Sequence, residues 1–243
     1  MSRLLIHELK KNQKNFHSVV PFDPSTEKII CLDLSKNNIE LIEDTYSDPK
    51  KFSEYITAKI KTHNAKFAIG GYNENRNLYK TSKLFEIKNL KVYPKGGDLE
   101  GASSRTLHLG IDIWGDAGTP VSAPLGGITH SFAFNNTPGD YGATIILQHQ
   151  LGTLNFYTLY GHLSLEDIGE LRVGQFITRG QVFGHFGEPN ENGNWPSHLH
   201  FQLIVDIGNY HGDYPGVCNY TERKYYLENS PDPDIILCFS TEN

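Results

Sequence analysis

Cysteine and long apolar runs are scarce in this sequence of 243 residues. The three cysteines, Cys31, Cys218 and Cys238, lie far apart and are odd in number, which favours free thiols over a disulfide framework. No window holds the roughly 20 apolar residues of a membrane-spanning helix. The start, MSRLLIHELKK, has an apolar patch of at most four residues, against ~7–15 in a signal peptide. We therefore expect a cytoplasmic protein without a membrane partner, and non-classical export or action in the periplasm stays open.

An excess of positive charge is also missing. The sequence contains 22 Lys and Arg against 28 Asp and Glu, a formal net charge of −6. This balance argues against the broad basic surface that nucleic acids attract, so we expect no nucleic-acid partner. Glycine and proline, by contrast, are plentiful at 23 and 12 residues, and 38% of the chain is hydrophobic. The composition is typical of a soluble, turn-rich globular protein.

Differences in composition and residue pattern divide the chain into three parts. Residues 1–95 are rich in Lys, Asn and Glu and predict a small α+β accessory segment. Residues 96–206 contain short β-rich runs separated by turns, and residues 207–243 predict a C-terminal wrap around this core. The fold class is therefore mainly β, with a compact antiparallel β-sheet or barrel-sandwich core. The runs that carry this prediction are GIDIW, GGITHSFAF, ATIILQH, LNFYTLY, LRVGQFITRGQVFGHFG and HLHFQLIV.

The accessory segment has local signals of its own. The runs KIICLDL and AKFAIGGY predict two strands, and a helix is expected to begin at Ser47 or Asp48 with Pro49 in its first turn. The polar run NENR and the Gly-rich stretch PKGGDLEG predict loops. The apolar residues of the helix recur every four positions, which indicates one buried face: Phe52, Ile56 and Ile60.

Two motifs in the core contain residue types that bind zinc. In His198-Leu199-His200 the histidines alternate, so a strand would place both imidazoles on one face with Cα atoms about 6.5 Å apart. In a straight strand His108 and Asp112 would be about 13 Å apart, too far to share an ion, so this pair needs a bend at Gly110.

A single histidine is more often structural than a ligand, but the combination favours a metal. Together with His162 of the YGHLS segment, these motifs supply three protein ligands and leave at least one imidazole over. That is the pattern of an open catalytic zinc site rather than a closed structural one.

In this order, the motifs HLGID (108–112), YGHL (160–163) and HLHF (198–201) resemble the lysostaphin/LytM-type zinc metallopeptidases over about residues 105–206. The resemblance implies one Zn²⁺ per chain and a peptide or peptidoglycan-fragment substrate, since most members cut peptidoglycan cross-bridges or stems. By this resemblance the metal ligands are His108, Asp112 and His200. The resemblance also implies a catalytic pair that orients and deprotonates the bound water and stabilises the transition state, namely His162 and His198.

The flanking segments resemble a narrower subgroup of that family. In this subgroup the module also occurs inside multidomain chains, between a kinase-like and an aminotransferase-like domain. Contacts with partner domains through the N-terminal segment stay open, and the resemblance gives no firm substrate. The segments concerned are GGYNENRNLY, SRTLHLGIDIW, NGNWPSHLHFQ, GDYPGVC and SPDPDIIL.

Three further residues are candidates for the substrate groove. His149 lies near a predicted strand end and either lines the groove or is a hydrogen-bonded structural histidine. Trp195 precedes the HxH strand and either forms a groove wall or is buried at a rigid turn with Pro196. Asn73 lies in the polar loop ahead of the core. Latent relatives in the family fill the open zinc position with an upstream asparagine, so this loop is expected to approach the zinc and limit access.

Other functions compete with a zinc endopeptidase. A biotinyl- or lipoyl-type carrier module is disfavoured because the turn Arg172-Val173-Gly174-Gln175 lacks the lysine that carries the cofactor. A non-catalytic metal-binding scaffold or regulatory module stays open. So does a zinc amidase that acts on a small cytosolic substrate, because ligand spacing determines the metal whereas loops determine the substrate.

Overall fold

Twelve strands form one large mixed sheet and two small ones in a computed structural model, which describes residues 2–86 and 104–239. In chain order the strands are β1 (Ile29–Leu32), β2 (Phe67–Gly70), β3 (Leu107–His108), β4 (Ile111–Trp114), β5 (Pro120–Ser122), β6 (Gly127–Asn135), β7 (Gly142–Leu151), β8 (Leu154–Leu163), β9 (Phe176–Ile177), β10 (Val182–His185), β11 (His198–Ile204) and β12 (Val217–Cys218).

The large sheet has the order β1-β2-β4-β11-β8-β7-β6-β9. Its neighbouring strands are antiparallel except for β1 and β2, which are parallel. Strand β10 pairs with β5, and β12 pairs with β3, in two-stranded sheets. The predicted mainly β fold class with a small α+β N-terminal segment is confirmed.

The α-helices of the described residues lie before β2 or after β12 in the chain. The α-helices are α1 (Ser2–Asn12), α2 (Glu43–Tyr46), α3 (Pro49–Thr62), α4 (Arg223–Asn229) and α5 (Asp234–Leu237). Short 3₁₀ turns occur at Gln13–Asn15, Asn77–Thr81, Lys83–Phe85, Leu165–Ile168 and Tyr220–Glu222. Among the described residues, no helix combines the length and the apolar content needed to cross a bilayer.

Helix α3 begins and packs as its sequence predicts. The Asp48 side chain accepts hydrogen bonds from the backbone N–H groups of the first turn, and Pro49 takes the first helical position, where no N–H is needed. Phe52 and Ile56 are buried and Ile60 is partly buried, all in a cluster that includes Trp114 of β4. The apolar face of α3 therefore covers the part of the sheet that carries the HLGID motif.

Helix α1 was not expected from the sequence. Its Leu5 and Leu9 are almost completely buried in the main core cluster together with Val121 and Phe201 of the predicted core. Strand β11 lies in the middle of the large sheet and is buried at every position, so both of its faces are covered. Residues from both ends of the chain thus help to enclose the central sheet.

The accessory segment joins the core through backbone pairing. Strand β2 pairs with β4, with Gly70 opposite Asp112, and the main sheet therefore continues from residues 1–95 into residues 96–206. In the C-terminal part, β12 pairs with β3 and the N–H of Val205 donates to the carbonyl of Asn229. The predicted loop PKGGDLEG and the predicted boundary between residues 95 and 96 lie outside the described residues.

Candidate metal centre and active-site cavity

A break between β3 and β4 brings His108 and Asp112 together. The chain leaves the extended conformation at Leu109 and Gly110, and His108 Nε2 lies 3.2 Å from Asp112 Oδ1. A Cβ atom on Gly110 would lie 2.5 Å from two ring atoms of His200. The bend required by the HxxxD spacing is therefore present, and glycine is needed there because the His200 ring occupies the space of a side chain.

Strand β11 supplies the other two histidines of the predicted site. In the pairing of β11 with β4, His200 lies opposite Asp112 and His198 lies opposite Trp114. His200 Nδ1 is 3.1 Å and His198 Nε2 is 4.0 Å from Asp112 Oδ1. The alternation of the HxH motif thus places both rings on the face that carries Asp112.

Three atoms that could bind a metal ion lie close together. His108 Nε2 lies 3.0 Å from His200 Nδ1, and both nitrogens lie within 3.2 Å of Asp112 Oδ1. A tetrahedral zinc ion with bonds of about 2.0–2.1 Å separates its ligand atoms by about 3.3 Å. Within residues 2–86 and 104–239, these three buried residues form the one cluster of at least three His, Cys, Asp or Glu side chains that could hold a metal ion.

The hydrogen bonds of His108 show which of its nitrogens is free. Nδ1 lies 3.0 Å from the carbonyl oxygen of Gly71, which can only accept, so Nδ1 carries the hydrogen and Nε2 has the lone pair. Burial, and next the charge of Arg76, lower the pKa of His108 to about 4, so the ring is neutral at pH 7.

A glutamine sets the tautomer of His200 in the same way. Gln202 Nε2 donates to the carbonyl of Pro215, so its Oε1 faces His200 Nε2 at 2.9 Å and accepts from it. His200 Nδ1 is therefore the unprotonated atom in the neutral ring. The lone pairs of His108 and His200 and one carboxylate oxygen of Asp112 face each other without a hydrogen between them, and a cation is what satisfies this arrangement.

The second oxygen of Asp112 is held by Arg76, which is 1% exposed. Arg76 Nη1 donates to Asp112 Oδ2 at 2.5 Å and to the hydroxyl of Tyr79 at 3.1 Å. Burial would raise the pKa of the Asp112 carboxyl, but the adjacent positive charge of Arg76 holds it well below its usual range. Arg76 and Gln202 were not predicted as site residues. Gln202 could have been found, because it follows His200 by two positions on the same strand face.

His162 and His198 form a stacked pair beside the trio, with ring centroids 4.1 Å apart. The Nδ1 atom of each donates to a backbone carbonyl, that of Asn192 at 2.8 Å and that of Pro196 at 2.6 Å, so both Nε2 atoms are unprotonated in the neutral rings. Burial lowers the pKa of His198 to about 4 and that of His162 well below its usual value. Trp114 stacks on the other face of His198 at 4.0 Å.

A cavity of about 250 Å³ opens onto all five predicted metal and catalytic residues. Part of its wall comes from the accessory segment, including Phe52, Tyr79 and Phe85, and part from the C-terminal wrap, including Tyr210 and Tyr214. The cavity is therefore bounded by segments on both sides of the predicted core. The metal and catalytic residues that line it are His108, Asp112, His162, His198 and His200.

Of the three predicted groove residues, the structure places only Trp195 in this cavity. Its ring packs edge-on against Phe52 and Tyr79. His149 is not a groove residue. It is buried on β7, with Nδ1 bonded to the carbonyl of Gly126 and Nε2 bonded to the hydroxyl of Thr158. Both ring nitrogens are thus occupied by the fold, and the structural reading of His149 is the correct one.

Asn73 is not a groove residue either. It adopts a left-handed backbone conformation with φ of 57°, and its side chain is exposed in a separate cavity with Tyr220 and Arg223. Its backbone N–H donates to the carbonyl of His108. The polar loop does approach the metal site, but the turn at Asn73 directs that side chain outward, and Arg76 is the residue that enters.

Comparison with known proteins gives a family match that spans the residues of this site. Residues 106–211 match the model of Peptidase family M23. The L-Ala--D-Glu endopeptidase of Bacillus subtilis (strain 168) is 30% identical over 117 residues, which cover 46% of this chain and 34% of that protein. The chain thus spans about a third of the length of this curated relative.

Solved structures of similar proteins include three peptidases. The catalytic domain of lysostaphin from Staphylococcus simulans is 23% identical, with 58% of this chain and 90% of that chain covered and a TM-score of 0.35. A zinc-containing peptidase from Vibrio cholerae is 23% identical, with coverages of 51% and 35% and a TM-score of 0.34. A putative peptidase M23 from Pseudomonas aeruginosa is 17% identical, with coverages of 80% and 63% and a TM-score of 0.36. These superposition scores are low, and the assignment rests on the sequence match. Over residues 106–211 the sequence thus matches Peptidase family M23, in agreement with the LytM-type family that its histidine and aspartate motifs resemble.

Proposed function

We propose that this protein is a zinc-dependent hydrolase that cleaves a peptide bond with a metal-activated water. The observation that carries the proposal is the trio of lone pairs at zinc spacing, which opens onto a cavity that also contains two neutral histidines. His108, Asp112 and His200 would hold the ion through Nε2, Oδ1 and Nδ1. Zinc bound there would supply a Lewis acid and lower the pKa of a water ligand towards neutrality.

The proposed roles of His162 and His198 follow from their hydrogen bonds. Each ring is fixed by a backbone carbonyl on Nδ1 and keeps Nε2 free, so each can accept a proton from water and return it to a leaving amine. His198 is the better placed of the two, because its Nε2 lies 4.0 Å from the carboxylate of Asp112. Trp114 and His162 enclose its ring from both faces and hold its orientation.

The proposed substrate is a peptide or a peptidoglycan fragment. The similar Bacillus subtilis protein is described as an L-Ala--D-Glu endopeptidase and the similar Staphylococcus simulans protein as an antimicrobial peptidase. A cavity of about 250 Å³ with aromatic walls from the accessory segment favours a short substrate. The same observation supports a second candidate, an amidase that acts on a small amide. Under our further proposal of a cytoplasmic location, either substrate would be a soluble fragment.

Metal analysis and a substrate panel test this function. Protein purified from its native host should contain close to one zinc per chain, and a chelator should abolish hydrolysis until zinc is restored. The panel should include peptides with an L-Ala–D-Glu bond, glycine-rich peptides, soluble peptidoglycan fragments and small amides. Failure of the folded protein to bind zinc would refute the proposal, whereas zinc binding without hydrolysis of any compound would favour a non-catalytic metal-binding role.

A further inference from the structure

A buried ion-pair unit, Glu74 and Arg76, connects the accessory segment to the metal site. We infer that Arg76, supported by Glu74, is a positioning residue that holds Asp112 in the orientation for one-oxygen ligation. This inference rests on the metal site of the proposed function. It makes the accessory segment a structural part of the metal centre rather than a cover over it.

Each nitrogen of the Arg76 guanidinium has at least one hydrogen-bond acceptor. Nε donates to Glu74 Oε2 at 2.6 Å, Nη1 donates to Asp112 and Tyr79, and Nη2 lies 3.4 Å from the carbonyl of Gly71. The side chain is also 1% exposed. Arg76 borders the cavity, but its guanidinium is held by Glu74, Asp112 and Tyr79, so its proposed effect passes through Asp112.

The two carboxylate oxygens of Asp112 have different partners. Its Oδ1 faces the lone pairs of His108 and His200, and its Oδ2 accepts from Arg76. With Oδ2 occupied, the carboxylate can offer only Oδ1 to a metal ion and cannot rotate about its χ2 bond without breaking a charge-assisted hydrogen bond. Partners of this kind, which orient a ligand from behind, typically change metal affinity by about 10–100-fold.

Glu74 resolves the electrostatic difficulty of an arginine beside a cation. A guanidinium next to Asp112 would cancel the charge that attracts the metal, but Glu74 adds a second carboxylate, only 12% exposed, to the same guanidinium. The three side chains together keep one net negative charge next to the metal position. Glu74 is itself fixed, since its Oε1 accepts from the backbone N–H of Leu34 at the end of the β1 region.

The same short loop also holds His108. The carbonyl of Gly71 accepts from the His108 ring, the carbonyl of Glu74 accepts from the His108 N–H, and the N–H of Asn73 donates to the His108 carbonyl. Residues 71–76 thus bind two of the three proposed ligands.

Gly70 makes room for the arginine. It lies opposite Asp112 in the sheet, and a Cβ atom on it would lie 2.8 Å from Arg76 Nη2. The absence of a side chain at this position leaves room for the guanidinium beside the carboxylate.

Zinc affinity of the folded full-length protein tests the inference, with a chromophoric chelator as competitor. Arg76→Gln should raise the zinc Kd by about 10–100-fold. Arg76→Lys should raise it less, because lysine keeps the charge but cannot bond Glu74 and Asp112 at once. Glu74→Gln should also raise the Kd, since it removes the charge that offsets Arg76. The matched control is Arg179→Gln, an exposed arginine that bonds the carbonyl of Asn15 and none of the ligands.

Cobalt substitution adds a readout that a merely structural role would not change. Co²⁺ in the wild type and in Arg179→Gln should give the same d–d spectrum, and Arg76→Gln should give a different one because Asp112 is free to bind through both oxygens. Circular dichroism establishes folding. If Arg76→Gln does not fold, the zinc affinities and cobalt spectra of Arg76→Lys and Glu74→Gln test the inference instead.

Wild-type zinc affinity and an unchanged cobalt spectrum in the folded variants would overturn the inference and leave the proposed function intact. A wild-type protein that binds no zinc would instead overturn the proposed function.

Discussion

His108 Nε2 and His200 Nδ1 lie 3.0 Å apart, although the hydrogen-bond partners of both rings leave these two atoms without a hydrogen. Two lone pairs at this distance, with a carboxylate oxygen beside them, repel one another in the absence of a cation. The fold nevertheless imposes the arrangement through a strand break and a strand pairing. Under the proposed function a bound metal ion would relieve this repulsion, and the predictions below follow from that proposal and from the surroundings of the histidines.

Removal of a ligand and removal of a catalytic histidine should have different effects on metal content. His108→Ala or His200→Ala takes away one of three protein donors, so the purified variants should contain far less zinc than the wild type. His198→Ala should keep its zinc and lose turnover, because His198 is not one of the three residues that could share an ion and its Nε2 lies 4.0 Å from Asp112 Oδ1. Metal analysis paired with a hydrolysis assay separates the two classes, and normal zinc in His108→Ala or His200→Ala would contradict the ligand assignment.

Gln202→Leu should weaken zinc binding although Gln202 does not touch the metal position. The substitution removes the acceptor that keeps the hydrogen of His200 on Nε2, so the tautomer with a hydrogen on Nδ1 becomes populated and competes with the metal. We expect a rise in the zinc Kd of about 10-fold or more, measured by chelator competition. Gln150→Leu, at an exposed glutamine that bonds its own turn, is the control. Equal affinities in the two variants would refute this role for Gln202.

At position 162 a glycine variant should be more stable to unfolding than an alanine variant. Its backbone has φ of 62°, a left-handed conformation that costs a residue with a Cβ about 1–2 kcal/mol. His162→Gly and His162→Ala remove the same imidazole, so both should lose turnover if the ring is catalytic. In urea unfolding the glycine variant should be the more stable by about 1 kcal/mol. Wild-type activity in either variant would assign His162 a structural role.

His149 should make the protein less stable in mild acid. Burial lowers its folded-state pKa from 6.5 to about 4, so as the pH falls below 6.5 the unfolded state takes up the proton first and stability decreases until about pH 4. Between pH 7.5 and pH 5 this group should reduce the free energy of unfolding by about 2 kcal/mol.

His149→Gln, which does not titrate, should lose about that much of the pH dependence in urea unfolding at the two pH values, with zinc content verified at each. His7→Gln is the control, because His7 is exposed on α1. An identical pH dependence in the wild type and His149→Gln would show that the buried ring is not responsible.

Local sequence signals were sufficient wherever a structure depends on near neighbours. The Asp48-Pro49 start and the four-residue apolar spacing predicted helix α3, and the β-rich run HLHFQLIV predicted β11. The spacing of His108 and Asp112 even required the bend at Gly110, since no straight strand could bring the two together.

Other features could not be derived from local patterns. Helix α1 is held by the burial of Leu5 and Leu9 against strands far away in the sequence, so its own residues do not reveal what covers it. The polar loop was recognised as a loop, but only the left-handed turn at Asn73 and the pairing of β2 with β4 decide which side chain points inward.

The sequence alone determined the kinds of atoms available to a metal and the strand faces that present them, because side-chain chemistry and strand alternation are local properties. The tertiary structure decided which of these atoms meet. Arg76 and Asp112 are 36 positions apart and His200 and Asp112 are 88 apart, so their contacts exist only through the order and register of the strands. Register is a long-range property, set by the burial of whole strands. For this reason the candidate metal ligands could be predicted from the sequence, and Gln202 could have been, whereas the arginine that orients Asp112 could not.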